Sequence, residues 1–237
     1  MLLAQNDKMP KYLIRLFNCK EYFQKFVTVG QMYMNTLEFF RKQEDGFQGD
    51  HHEGKLIDRS EHAKLMFSTR NDFEHPDFVL ADVEMVTNGY VYCFFAANEN
   101  DIHVTKQGIY DNPSVNGNLR EAITKYRNEN SNNDIYIVVL DAKKTIEAIE
   151  QQLQSISFPW YQGYVQYVQT SSLSPQQLLN VQDKPWTSAF RKPQQYQYQS
   201  EWRVFIHTRP LDNHAEVYLK GLSASIVCCG RIEPATD

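Results

Sequence analysis

Two nearly continuous apolar runs place the strongest constraint on how this chain can fold. The stretches GYVYCFFAA (89–97) and DIYIVVLDA (134–142) are rich in aromatic and β-branched residues. Strands of this composition are typically buried on both faces, so we expect both inside a covered sheet. With 237 residues, 42% of them hydrophobic, the chain is long enough to bury one sizeable core.

The weaker patterns around these runs predict an α+β fold: a single domain over 1–237, with strand-rich mixed or antiparallel sheets and several peripheral helices. The sequence lacks regular βαβ alternation, a GxGxxG motif and a P-loop, which argues against a Rossmann fold. A helix is expected from Asn18 to about Thr28 with Gly30 as its stop, and Thr36 is expected to cap a short helix to 42. Other predicted helical segments are 119–128, 142–154, 174–180 and 187–192; predicted strands are 11–17, 31–35, 63–69, 77–87, 160–169, 196–207, 215–220 and 223–229, with loops at 43–55 and 98–118.

Charge, hydropathy and cysteine spacing exclude several classes of function. The net charge is −5 and the pI is near 5.8, so we expect no broad nucleic-acid-binding face. No apolar run reaches the roughly eighteen residues of a membrane span, and the first residues lack a signal-peptide pattern. We therefore expect a cytoplasmic protein that does not cross a membrane. The four cysteines lack CxxC spacing, which favours reduced, mostly buried thiols over a zinc site or disulfides.

The stretch YQYQSEWRV (196–204) is predicted to be a strand that carries a candidate catalytic carboxylate. Alternation along a strand places Gln197, Gln199, Glu201 and Arg203 on one face and aromatic side chains on the other. A carboxylate fixed on a strand can bind a ribose hydroxyl and stabilise positive charge that develops on a sugar. Gln199, on the same face, could position an acceptor. The alternative is a solvated polar face in which Glu201 and Arg203 neutralise their neighbours.

Four further residues are candidates for binding other parts of such a ligand. Arg15 interrupts an apolar strand, where a guanidinium must pair, face a site or lie on a solvated side, and Arg binds phosphate in a bidentate manner. Ser68 and Thr69 end a predicted strand and could hold site residues by hydrogen bonds or simply form a turn. Tyr33 is one of several aromatic residues that could stack on a nicotinamide or adenine ring or belong to the core.

The loop QEDGFQGDHHEG (43–54) gathers acidic and histidine residues. Such a set could bind a divalent metal and hydrolyse phosphodiesters. The spacing is neither His-x₃-His nor Asp-x-Asp-x-Asp, so a solvated acidic loop, or a mobile cover over a ligand, is the simpler interpretation. We assign no metal ligand on this basis; the residues concerned are Glu44, Asp45, Asp50, His51, His52 and Glu53.

Three elements occur in chain order: Arg15 on a first strand, Phe67-Ser68-Thr69 on a later strand and Gln199-x-Glu201 on a late strand. Together they resemble the Arg–Ser–Glu class of mono-ADP-ribosyltransferases. The chain also resembles small bacterial and phage proteins of unknown function that carry an early LYFNTL-FFR-QE-GD-EG stretch and a late K-Y-Q-EWR stretch. Here these stretches read MYMNTLEFFRKQEDGFQGDHHEG and KPQQYQYQSEWR. Arg70 stands where the transferases have a second Ser. The long gap between Ser68 and Glu201 implies an insertion at about 98–160 relative to a compact transferase core.

The resemblance implies an NAD-dependent mono-ADP-ribosyltransferase, with NAD as a substrate, that acts as a toxin or in phage defence or counter-defence. Arg15 would contact the NAD phosphates or the nicotinamide ribose, and Ser68 would organise the nicotinamide pocket and hold the glutamate. Glu201 would bind the ribose 2′-hydroxyl and stabilise the cation as nicotinamide leaves. Gln199 would orient the acceptor, and a Gln at this position implies an asparagine or nucleobase acceptor, on a protein or a nucleic acid, rather than arginine.

Two other functions stay open from the residues alone. One is a non-catalytic binding protein, such as a phage or anti-phage defence partner, and the other is a metal-dependent nuclease that uses the 44–53 loop. If the chain is a transferase, Arg15, Ser68 and Glu201 should converge on one cleft. If it is a binding protein, these three residues should be scattered over the surface. If it is a nuclease, Asp45, Asp50 and His52 should converge.

Overall fold

The computed structural model has an α+β fold built on one large antiparallel sheet. It describes residues 9–43, 55–58, 65–68, 78–81, 83–105, 108–110, 117–168 and 184–232. The helices are α1 (Lys20–Val29), α2 (Leu37–Lys42), α3 (Gly117–Glu129) and α4 (Ala142–Leu153), with 3₁₀ helices at Pro185–Phe190, Gln194–Gln199 and Leu222–Ser225. The strands are β1 (Tyr12–Phe17), β2 (Gln31–Thr36), β3 (Lys55–Asp58), β4 (Leu65–Ser68), β5 (Phe78–Ala81), β6 (Val83–Val86), β7 (Gly89–Ala97), β8 (His103–Thr105), β9 (Gly108–Tyr110), β10 (Tyr136–Asp141), β11 (Trp160–Tyr164), β12 (Gln166–Val168), β13 (Arg191–Pro193), β14 (Glu201–His207), β15 (His214–Tyr218) and β16 (Ile226–Arg231).

The main sheet divides into two branches at β7. One edge of β7 pairs antiparallel with β14 over Gly89–Phe95. The other edge pairs with β1 over Phe95–Ala97 and with β2 at Tyr90 and Val91. β1 continues the sheet through β10 and β16, whereas β2 pairs with β15. The two branches therefore leave the same edge of β7 on either side of a gap at 92–94.

Helices cover both faces of this sheet. α1 and α4 pack on one face, where Phe26, Ile146 and Ile149 join apolar side chains of β7, β10 and β14. α3 packs on the opposite face, where Leu119 joins Ile14 and side chains of β10. β7 and β10 therefore lie in the interior, which confirms the prediction made from their apolar sequences.

Two local signals fix the segment that connects the branches. α1 ends at Gly30, whose φ of 69° is a left-handed conformation that glycine adopts without steric penalty. The backbone of Leu219 lies against Gly30 and leaves no room for a side chain there. α2 begins after Thr36, whose Oγ1 accepts a hydrogen bond from the Phe39 N–H at 3.0 Å. Both signals were predicted from the sequence and are confirmed.

Several predicted elements differ from those observed. The N-cap of α1 is Cys19 rather than Asn18, because the Asn18 side chain instead donates to Asn130 Oδ1 at 2.5 Å. The predicted loop 98–118 contains an antiparallel hairpin, β8–β9. The predicted strand 77–87 is two strands, β5 and β6, which pair with different partners. The predicted helix at 174–180 lies outside the described residues.

Part of the range proposed as an insertion is built into the main sheet. β10 lies within 98–160, yet it pairs with β1 on one side and β16 on the other. α4 follows β10 directly, and the Asp141 side chain caps it by accepting the Lys144 N–H at 3.0 Å. Within the described parts of the chain, no helix combines the length and apolar character that a bilayer crossing requires.

Candidate functional site

The stretch predicted as one strand over 196–207 is two different elements. Gln194–Gln199 is a 3₁₀ helix, Ser200 has a φ of 40°, and β14 begins only at Glu201. The prediction of a strand before Glu201 is wrong because Tyr196 and Tyr198 are both buried in one cluster with Ala122 of α3. The turn at Ser200 then redirects the chain into β14, and the Ser200 N–H closes it by donating to the Gln197 carbonyl.

The reading of this segment as a solvated polar face is also wrong for most of its length. Gln199, Glu201 and Arg203 are only 4%, 7% and 1% exposed. Gln197 alone of the predicted face is exposed. A buried carboxylate and a buried guanidinium require partners, since an unpaired charge in the interior is strongly unfavourable.

Glu201 obtains those partners from two basic side chains. Lys192 Nζ donates to Glu201 Oε1 at 2.7 Å, and Arg203 Nε donates to Glu201 Oε2 at 2.7 Å. Lys192 Nζ also donates to Gln199 Oε1 at 2.6 Å. Lys192 is itself only 4% exposed and lies on β13, the short strand that pairs with β12. Lys192 therefore connects the side chains of Gln199 and Glu201 through one hydrogen bond to each.

These contacts keep the carboxyl group ionised. Burial by itself would raise the pKa of Glu201, but the charges and hydrogen bonds of Arg203 and Lys192 outweigh it and hold this pKa at about 2. At neutral pH the group is a carboxylate. A carboxylate offers about four lone-pair positions, so two accepted hydrogen bonds leave each oxygen able to accept another.

Arg15 lies at the gap where the two branches of the sheet separate. Its Nη1 donates to the Cys93 carbonyl at 2.6 Å, on the β7 edge between the sections that pair with β1 and β2. Its guanidinium carbon lies 4.5 Å from the ring centre of Tyr92, a cation–π arrangement. Arg15 is half-buried, and it forms no ion pair with any described acidic side chain.

Two hydrogen-bond donors beside this gap donate to no acceptor among the described residues. They are Arg15 Nε and the hydroxyl of Tyr92, and both atoms are buried. Burial raises the pKa of Tyr92 to about 12, although Arg15 opposes the shift, so the phenol stays protonated and can donate. Buried donors without partners are rare and call for an explanation. A ligand that carries acceptor oxygens would satisfy both.

A cavity of about 110 Å³ lies in the gap. Among the described residues, its wall includes three basic side chains (Arg15, Lys192 and Arg203) and one acidic side chain, Glu201. The excess of positive charge favours an anionic ligand or an anionic group of a larger one. The volume is below the roughly 300–1,000 Å³ of pockets that enclose drug-sized ligands, so a dinucleotide would place only its reacting end here.

Four of the residues proposed from the sequence line this one cavity: Arg15, Tyr33, Gln199 and Glu201. Tyr33 lies on β2, and its ring stacks on that of His214 with centroids 4.4 Å apart. Gln199 is buried in the cavity wall, where its Oε1 accepts a hydrogen bond from Lys192 Nζ. No local pattern pointed to Lys192, because its contact with Glu201 depends on the fold.

The remaining sequence candidates cannot be placed in the site. Ser68 is the last residue of β4, which pairs with β5, and its side chain is outside the described part. Thr69 and the acidic 44–53 loop lie outside the described residues altogether. Within the residues that are described, no group of three or more His, Cys, Asp or Glu side chains could hold a metal ion.

The four cysteines are free thiols, and none is fully buried. Cys19, Cys93 and Cys228 are half-buried and Cys229 is exposed, so the prediction of free thiols is confirmed and the prediction of burial holds only in part, for the first three. Burial, with a smaller contribution from Cys229, raises the pKa of Cys228 to about 11. This thiol is therefore protonated at neutral pH and poorly suited to act as a nucleophile.

A second depression adjoins the cavity at Glu201. It is an open groove of about 1000 Å³, and Glu201 is the residue common to the walls of both. The Glu201 N–H donates to the Tyr167 hydroxyl at 2.9 Å, and Tyr167 also lines the groove. The carboxylate-bearing residue thus lies between a small basic cavity and a larger polar groove.

No protein-family model, curated protein or solved structure matches this chain.

Proposed function

We propose that this chain is an NAD-dependent mono-ADP-ribosyltransferase. The observation that carries the proposal is that Arg15, Tyr33, Gln199 and Glu201, which are far apart in the sequence, line one cavity. The transferase requires Arg15, Ser68 and Glu201 to converge, and the Ser68 side chain lies outside the described residues. Convergence of Arg15 and Glu201 supports the proposal, because a chance match of short motifs has no reason to bring these two together. The resemblance to Arg–Ser–Glu transferases supplies the reaction type.

In this proposal Glu201 stabilises the transition state. The bond between ribose C1′ and the nicotinamide nitrogen breaks, its electron pair stays on nicotinamide, and positive charge develops on the ribose. The acceptor nucleophile then bonds to C1′ and its proton passes to water. Glu201 suits this role because its carboxyl group is ionised and each oxygen can still accept a hydrogen bond from a ribose hydroxyl.

The basic residues of the cavity have complementary roles. Arg15 Nε and the Tyr92 hydroxyl would donate to oxygens of the nicotinamide ribose or the adjacent phosphate. Lys192 holds Glu201 and Gln199 together rather than contacting the departing group. The resemblance also supports a toxin or defence setting, and an acceptor other than arginine because position 199 is Gln.

The test is release of nicotinamide from NAD by the purified protein. Glu201→Gln should lower the rate by about 10²–10³-fold, the loss typical when one transition-state electrostatic contact is removed. Glu38→Gln is the matched control, since Glu38 is 60% exposed in an i,i+4 pair with Lys42 on α2. Circular dichroism of each variant separates loss of activity from loss of fold.

A non-catalytic binding protein is the second candidate, and one observation favours it. Both oxygens of Glu201 already accept hydrogen bonds, and the cavity is small, as in a polar network whose purpose is structural. This alternative predicts no nicotinamide release and no thermal stabilisation by NAD. A ligand at a hundred times its dissociation constant should stabilise the protein by about 2.7 kcal/mol. If the wild-type protein neither releases nicotinamide nor is stabilised by NAD, the transferase proposal is refuted.

A further inference from the structure

The groove beside Glu201 is polar but carries almost no net charge. Among its described lining residues, the charged side chains are Lys11, Glu99 and Glu201. Lys11 and Glu99 form an ion pair with an N–O distance of 3.3 Å. Glu201 is already paired with Lys192 and Arg203. Among these described residues the charge of Lys11 is balanced by Glu99, so this part of the wall carries no excess of positive charge for a phosphate backbone.

Carboxamide side chains dominate the wall instead. Asn98, Asn100 and Gln166 line the groove and make no side-chain hydrogen bond to any other described residue. Asn98 and Asn100 are exposed and Gln166 is half-buried. Each carboxamide offers both a donor and an acceptor, the combination that matches the N–H and C=O groups of a peptide backbone. Their side chains are available to a ligand that has both.

Two tyrosines complete the wall. Tyr164 and Tyr167 line the groove and are half-buried, so part of each side chain faces it. Tyrosine supplies a large apolar contact area with few rotatable bonds, which suits recognition of a polypeptide. A single nucleic-acid strand would also stack on such rings, but it needs in addition a positively charged groove along its backbone. The described wall of this groove does not provide that charge.

We infer that the groove binds the acceptor, and that the acceptor is a polypeptide segment rather than a nucleic acid. This inference rests on the proposed transferase function, whose acceptor it names by class. Glu201 lines both the groove and the cavity that would hold the reacting end of NAD. On the groove side its backbone N–H donates to the Tyr167 hydroxyl and its C=O accepts from the Val165 N–H. An acceptor segment in the groove would therefore lie next to the residue that holds the ribose, outside the space of the dinucleotide.

The experiment offers both acceptor classes to the wild-type protein with NAD labelled on its adenylate phosphate. The probes are a library of asparagine-containing synthetic peptides and random-sequence oligonucleotides of single-stranded DNA, double-stranded DNA and RNA. We expect label on peptides and none on oligonucleotides. Peptide labelling should depend weakly on salt, whereas each phosphate contact to DNA contributes a slope of roughly −0.9 to log K against log salt.

Variants of the groove provide the second measurement. Asn100→Ala combined with Gln166→Ala should raise KM for the best peptide by about tenfold, as expected for loss of two ordinary hydrogen bonds, with a smaller effect on kcat. Gln24→Ala on α1 is the matched control, because Gln24 is an exposed carboxamide outside the groove. It should change neither constant.

The outcomes separate this inference from the proposed function. Nicotinamide release with label on oligonucleotides, or with no label on any peptide, overturns the polypeptide acceptor and leaves the transferase standing. Peptide labelling that the double variant does not weaken overturns the groove as the acceptor site. Absence of nicotinamide release under every condition refutes the transferase itself, and the acceptor assignment with it.

Discussion

Replacement of Glu201 by Gln should remove one pH-dependent contribution to stability, whose size follows from the structure. Folding lowers the pKa of this carboxyl group from its ordinary 4.5 to about 2, because Arg203 and Lys192 outweigh the effect of burial. A difference of this size corresponds to about 3 kcal/mol. Because the folded pKa is the lower one, the stabilisation is complete above about pH 5 and is lost as the pH falls toward about 2.

The comparison between wild type and variant isolates this one group. By about pH 3 the wild type has lost roughly 2 kcal/mol of this contribution, whereas the variant loses none of it because Gln does not titrate. At about pH 7 we expect Glu201→Gln to be less stable by about 3–5 kcal/mol, since the substitution leaves buried cations without their carboxylate. That difference should shrink by about 2 kcal/mol at about pH 3.

Urea unfolding followed by circular dichroism measures both differences. Glu38→Gln serves again as the control, because a surface ion pair is worth about 0–1 kcal/mol and its removal should matter little at either pH. If the gap between wild type and Glu201→Gln is the same at both pH values, the carboxyl group is not held ionised by Lys192 and Arg203. The electrostatic basis of the proposed catalysis would then be wrong.

Two further substitutions test the local structure that positions the site. Gly30→Ala should destabilise the protein by more than Gly221→Ala, and urea unfolding of the pair measures the difference. The φ angles of Gly30 and Gly221 are 69° and 79°, so either substitution costs about 1–3 kcal/mol in backbone strain. Only Gly30 lies in addition against the backbone of Leu219, which a new side chain would meet. Equal losses would show that this close approach is absent. Thr36→Ala should cost about 1 kcal/mol through loss of the α2 cap, and replacement by Ser should restore most of it; no loss would mean that the cap bond does not form.

Local sequence signals predicted the interior of the fold well. The aromatic and β-branched run at 89–97 is β7 from its first residue to its last, because a strand buried on both faces needs no polar alternation to mark it. Gly30 and Thr36 were also predicted in their roles. These signals are local, since each depends on backbone conformation or burial within a few residues.

The site was predicted only in part, because its decisive contacts depend on turns and packing that residue patterns do not specify. Alternation over 196–204 indicated a strand, yet Tyr196 and Tyr198 are buried by packing on α3 in a 3₁₀ helix. The ion pair of Lys192 with Glu201 cannot be read from spacing, because the turn at Ser200 brings the two together. Arg15 could be recognised in the sequence as an unusual charge in an apolar strand. The division of the sheet, beside which its side chain binds the Cys93 carbonyl, could not be recognised there.

The division of the sheet at β7 has a mechanical consequence. Within the described residues, β1 pairs only with β7 and β10, and β2 only with β7 and β15, so no ladder of backbone bonds ties β1 to β2. α1 joins the two strands along the chain and packs through Phe26 on side chains of β7, β10 and β14. The separation of β1 from β2 at the cavity is therefore held by side-chain packing and by their common partner β7, not by direct backbone hydrogen bonds between them.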